Sequence, residues 1–190
     1  MWNFRKHASA AGILAALACS SAAQAVPTQG TFGSTSTGII NISASVPSRV
    51  QITGLSDVAF TNQDPTVAAS NAQNICVFSN TAGKKYNITA TGNSAGAGGG
   101  GTAFTIGGTG LTAAPYTVEW AQTSGAASGT ALTSTTTLTG QASTATTPTC
   151  TGGSPVTTAT LFVKMSTAAL QAMQSSATYS GTLTLVVGPE

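Results

Sequence analysis

Charge is what this sequence has least of. Among 190 residues only 5% are Asp, Glu, Lys or Arg, where about a quarter is usual for soluble proteins. Histidine occurs once, at His7, beside Arg5 and Lys6 in a leader that we expect to be removed. Beyond it, Arg49, Lys84, Lys85 and Lys164 stand against Asp57, Asp64, Glu119 and Glu190, four against four. A neutral chain with no basic cluster has no counterions to release on a polyanion, which excludes nucleic-acid binding. It also lacks a polybasic patch for a membrane surface. Removal of His7 takes away histidine catalysis and histidine metal ligation together. No apolar run is long enough to serve as a mature membrane span.

The leader itself is legible. Arg5 and Lys6 precede the apolar run Ala11 to Ala18, and small residues follow up to Ala23-Gln24-Ala25. That three-part layout predicts a secretory signal over 1–25 with cleavage after Ala25. Cys19 raises the rival of lipidation, but Ala16-Leu17-Ala18 fits a lipobox poorly, since the leucine belongs one place earlier. Export leaves two cysteines, Cys76 and Cys150. In an oxidising compartment an even pair reads as a disulfide. No C-x-x-C pair and no histidine is present to make either thiol reactive.

Serine and threonine make up about a third of the residues after the leader. Short β-branched or alternating runs recur among them, bounded by Gly, Pro, Asn and Ser. Gly38 to Val46 places Ile40, Ile42, Ala44 and Val46 on one face and Asn41, Ser43 and Ser45 on the other, and Pro47 ends it. Further strands are predicted over Arg49 to Leu55, Ile75 to Phe78, Tyr86 to Thr91, Phe104 to Ile106, Tyr116 to Trp120, Thr133 to Leu138, Thr158 to Met165 and Tyr179 to Val187. One short helix is expected over Ser166 to Ser175, with Ser166 as its N-cap. Asn93 to Gly101 and Gln141 to Pro155 read as loops. Roughly nine strands with one cross-link predict an all-β, antiparallel sandwich of immunoglobulin-like kind.

Chemistry is sparse in these elements. Asp57 and Asp64 are too poorly supported to form a glycosidase pair or a calcium site, and Asp57 reads as a turn residue. Tyr116 and Trp120 read as one core and one surface aromatic, against the rival of a sugar-stacking platform. The glycine run lacks the Gly-Lys-Ser/Thr ending of a phosphate loop. The sequence thus predicts no catalytic residue, no metal and no cofactor. Its distinctive feature is physical: Leu183, Leu185 and Val187 line one face of a last strand that is left as an edge unless another strand pairs with it.

Gly38 to Ile52 (GIINISASVPSRVQI) resembles the N-terminal donor strand and adjoining strand of alpha-type chaperone–usher fimbrial subunits. Ala177 to Val187 (ATYSGTLTLVV), after a short helix with Ala-Ala-Leu, is similar to the ending of archaic chaperone–usher pilins and spore coat protein U-like domains. The resemblance implies an incomplete sandwich lacking its seventh strand. A periplasmic chaperone lends that strand until the next subunit's N-terminal strand replaces it at an outer-membrane usher. It casts Ile40, Ile42, Ala44 and Val46 as donor residues and Leu183, Leu185 and Val187 as the acceptor groove. Tyr179 becomes a corner tyrosine bonded back to the backbone. The chain is then divided as leader 1–25, tail and donor strand 26–46, and sandwich 47–190, a fimbrial subunit at the cell surface whose partners are copies of itself. The alternative from the residues alone is a monomeric secreted binding module in which Gly38 to Val46 pairs within its own chain.

Overall fold

The computed structural model describes residues 26–94, 102–153 and 155–190. The expected leader, Cys19 and most of the glycine run lie outside them. Two units divide the chain, Met1–Val46 and Pro47–Glu190. In the first, Thr28 and Ile39 exchange two backbone hydrogen bonds, of 3.0 and 2.9 Å. Residues 26–46 are otherwise without regular strand and are exposed along their length.

The second unit is built of strands: β1 (Val50–Thr53), β2 (Ala69–Ser79), β3 (Lys85–Ser94), β4 (Thr105–Ile106), β5 (Ala114–Pro115), β6 (Thr117–Ala121), β7 (Thr130–Ala131), β8 (Thr137–Ala142), β9 (Ala159–Met165) and β10 (Gly181–Pro189). One helix, α1 (Thr167–Gln171), joins the last two. A five-stranded sheet runs β1-β2-β9-β6-β7, a three-stranded sheet runs β10-β3-β8, and β4 pairs β5. Every pairing is antiparallel. The sheets bury Ile75, Val77, Tyr86, Ile88, Val118, Trp120, Leu161, Val163 and Met165 between them. With β1, β2, β9 and β6 as strands A, B, E and D, and β3 and β10 as C and F, this is the order of an immunoglobulin-like sandwich. Beside β10, where strand G would lie, there is no strand among the described residues.

Local chemistry sets where elements end. Gly54 takes a φ of +83° and turns the chain away after β1, a conformation that glycine adopts at little cost. The Gln73 amide then takes over from the ladder, accepting from Ser56 N–H at 3.0 Å and donating to Ser56 C=O at 2.8 Å. Helix α1 is capped as expected, the Ser166 hydroxyl accepting from Ala169 N–H at 3.1 Å. It is shorter than predicted, since one apolar face of Ala169 and Leu170 supports only a turn and a half.

Four readings need correction. The strand expected over Gly38 to Val46 does not form: apart from the Thr28–Ile39 bridge the stretch has no strand, since its apolar face meets no core. Tyr116 and Trp120 are both buried, at 8% and 1% exposure: four residues apart in an extended chain, they share a face. Neither is available as a surface platform. Asp57 lies in a stretch with neither turn nor regular element, and the turn belongs to Asp64, whose carboxylate accepts from the Thr66 N–H at 2.8 Å and hydroxyl at 2.7 Å. The strand expected over Thr133 to Leu138 falls at Thr137–Ala142, because Thr133 to Thr136 close a tight turn whose Thr135 has a φ of +66°.

Candidate functional site

The site is the seam where the edge strands of the two sheets, β10 and β1, approach each other. Strand β10 bonds β3 from Gly181↔Ser94 to Pro189↔Tyr86. The Glu190 N–H continues the ladder onto Lys85 C=O, which fixes even-numbered residues as the bonded pairs. By antiparallel alternation, the N–H and C=O groups of Leu183, Leu185 and Val187 point away from β3, along the vacant edge. Their side chains point inward, half-buried against the core, while Thr182, Thr184 and Val186 face out.

Strand β1 forms the opposite lip. Asn80 N–H donates to Arg49 C=O at 3.1 Å, and the Asn80 side-chain carbonyl accepts from Arg49 N–H at 2.6 Å. Alternation from that pair turns the polar backbone groups of Val50 and Ile52 outward, away from β2. Both side chains are half-buried against the same core. The two edge strands come within 8 Å of each other, Cα to Cα. One apolar row from each lip, Val50 and Ile52 facing Leu183, Leu185 and Val187, thus floors a seam with unsatisfied ladder on both sides. Sequence reading named the β10 row and missed the β1 row. Its signal was present: Val50 and Ile52 continue an alternation broken only by Pro47.

The other predicted residues fall as follows. Ile40, Ile42 and Val46 are 74%, 87% and 79% exposed, and Ala44 is exposed as well. Four residues that could fill an apolar row therefore stand in water in the same chain that carries one. Tyr179 is half-buried just before β10, and its hydroxyl accepts from Gln174 N–H at 3.0 Å. The expected return to the backbone is there, but to a donor, not an acceptor, and at an exposed position. Cys76 and Cys150 form a disulfide with Cα atoms 6.0 Å apart. It pins the loop after β8, with its buried Ala145, against Phe78 on the outer face of the large sheet.

Polar contacts elsewhere serve the fold. Lys164 Nζ bonds Glu119 at 2.7 Å. This bond, with the Gly129 N–H, holds the Glu119 carboxyl below its ordinary range. Burial pushes the Tyr86 hydroxyl up to about 12, with Trp120 Nε1 donating to it at 3.2 Å. Among the described residues no three His, Cys, Asp or Glu side chains cluster as metal ligands, and no helix is long and apolar enough to cross a membrane.

No family model matches the chain, and no curated protein does. A solved structure from work on a chaperone–tip adhesin complex in the biogenesis of CFA/I fimbriae is similar to it, with a TM-score of 0.48 and 14% identity. That likeness covers 74% of this chain and 41% of the other. It is too slight to argue function from, which leaves the seam and the tail as the informative features.

Proposed function

We propose that the protein is a non-enzymatic structural subunit of a surface fimbria, polymerising when the Ile40, Ile42, Ala44 and Val46 strand of one copy fills the seam of the next. The observation that carries this reading is the juxtaposition in one chain of a vacant β10 edge over a half-buried apolar row and an exposed run with the matching period of two. A strand added beside β10 gives the backbone groups of Leu183, Leu185 and Val187 their partners and continues a wholly antiparallel sheet. Burying Ile40, Ile42 and Val46 is worth about 1.5–3 kcal/mol each before ordering costs. Since β1 and β10 come within 8 Å, an entering strand has to part them. Exchange is then slow, and a periplasmic chaperone that holds the seam open with a strand of its own, with an outer-membrane usher to order the exchange, suits that need. Adhesion or biofilm formation at the cell surface is the role such a fibre serves.

The test is removal of residues 26–46 from the exported protein. The remaining domain should fold with a peptide of residues 38–48 supplied in trans and should form no polymers. A full-length protein that stays a stable monomer, and loses its fold when truncated whether or not the peptide is added, would instead be a self-complete binding module.

A further inference from the structure

The eight charged residues beyond the leader are few enough to place one by one, and they sort by end of the sandwich. Arg49 precedes β1, and Lys84 and Lys85 lie where β2 passes into β3, the Ser79 hydroxyl bonding Lys85 C=O at 2.8 Å. These three cations therefore share the end at which the tail leaves. Glu190 is there too, its carboxylate accepting from Gly140 N–H at 2.7 Å. Asp64 occupies the turn into Ala69 at the far end of β2, and Asp57 follows Ser56, which is bonded to Gln73 in that strand's far half. Glu119 and Lys164 pair near the same end. Counted by side chains, the tail end is thus net positive by two and the far end net negative by two. Strand β2 has 11 residues, so the ends are about 33 Å apart. At physiological salt that is about four Debye lengths, so the two ends are largely screened from each other within one copy.

Between copies they must meet. This step rests on the donor-strand reading above. β10 runs from the far end, Gly181, to the tail end, Pro189. A strand entering antiparallel to it runs the other way, so its Val46 emerges at the acceptor's far end. Pro47 C=O already accepts from the Asn80 side chain at 3.0 Å, and Arg49 is bonded to Asn80 by its backbone. Only Pro47 and Ser48 separate Val46 from Arg49, three Cα steps or about 10 Å at full stretch, so no slack exists between the inserted strand and the donor's own sandwich. We infer that consecutive copies abut end to end, the Arg49, Lys84 and Lys85 end of the donor seated on the Asp57 and Asp64 end of the acceptor. The occupant of the acidic end is a second copy of this chain. Strand entry in the opposite sense would bring two basic ends together, so the same charges select against it.

Charges at such a rim act mainly on association rate and its salt dependence. The experiment follows assembly of the full-length protein into SDS-resistant multimers, from roughly 20 to roughly 300 mM salt. The wild-type rate should fall several-fold across that range. Arg49→Glu with Lys85→Glu, which makes both ends acidic, should slow low-salt assembly about fivefold or more and invert its salt dependence. Asp57→Lys with Asp64→Asn, which keeps the acceptor for Thr66, should do the same from the other end. All four changes together restore opposite ends and should recover the rate. Wild-type assembly indifferent to salt and to single-end reversal overturns the end-to-end contact and leaves donor-strand exchange standing. Slowing by each pair without recovery in the fourfold variant, at unchanged melting temperature, overturns it too. No assembly in any variant, with a truncated domain that ignores donor peptide, removes the underlying reading instead.

Discussion

Two tyrosines show how the setting of a hydroxyl decides what its loss costs. Tyr86 is 1% exposed and is the partner of Trp120 Nε1. Tyr86→Phe leaves a buried indole N–H without an acceptor, and should cost about 1–3 kcal/mol in chemical denaturation. Tyr179 accepts from the Gln174 N–H, a bond that solvent can replace. Tyr179→Phe should therefore cost less, about 0.5–1 kcal/mol, and a larger loss for Tyr179 than for Tyr86 would contradict the assignment. Glu119 supplies a pH dependence. Its folded carboxyl is held low by the Lys164 bond first and the Gly129 N–H second; burial opposes them, and the Lys164 charge adds a smaller lowering effect. A lowered acid stabilises the fold above the ordinary glutamate range, and that contribution is lost as pH falls through the lowered value. Asp64, lowered by Thr66, adds in the same direction. Melting temperature should thus drop on acidification below the carboxylate range, and Glu119→Gln should flatten part of that limb. The effect is modest because both partners of the ion pair are partly exposed.

Among the elements, the loop held by Cys76–Cys150 is the one whose removal should be felt most. The bond spans 74 residues, and closing such a loop constrains the unfolded chain by about 4 kcal/mol on the chain-entropy account. Replacing both cysteines by serine should cost a comparable amount and expose Phe78, while mass spectrometry of the unreduced wild type should find no free thiol. The strands that alternate, β3, β9 and β10, were legible because one face of each carries its apolar residues into the core. The first half of β2, Ala69 to Asn74, was not. Its ASNAQN carries no apolar period, and it is a strand because β9 pairs it on one side and Gln73 ties it to Ser56 on the other. β9 hid a second fact: Thr160 and Phe162 are buried although they face away from the core. The loop after β6 covers Thr160 through Thr123 and Ala126, and Lys164 lies 5.1 Å above the Phe162 ring. Covering by a distant loop leaves no trace in local periodicity. The seam was half legible for the same reason. Leu183, Leu185 and Val187 announce an apolar face, but Val50 and Ile52 become its opposite wall only once two sheets are stacked.

At the scale of the whole molecule, residues that stabilise a single copy should separate from residues that join copies. Ile42 is 87% exposed, so Ile42→Asp changes little in the folding of one domain. In an assembled fibre the same side chain would sit mid-strand over the apolar row of β10, where an unpaired carboxylate is costly to bury. The expected result is a subunit exported in normal amount, with its domain as resistant to denaturant as wild type, that forms no SDS-resistant multimers. Leu185→Asp strikes the acceptor side of the seam and removes a residue packed against the core, so it should lower both stability and assembly. Mixing Ile42→Asp with wild-type protein distinguishes a swapped strand from an intramolecular one. An Ile42→Asp copy keeps an intact seam and can accept a wild-type donor, so it should appear once, at a chain terminus, and cap growing fibres at substoichiometric ratios. Were Gly38 to Val46 a strand of its own sandwich, Ile42→Asp would destabilise the monomer and cap nothing. Multimer length against the fraction of Ile42→Asp protein in a co-assembly reads out that difference directly.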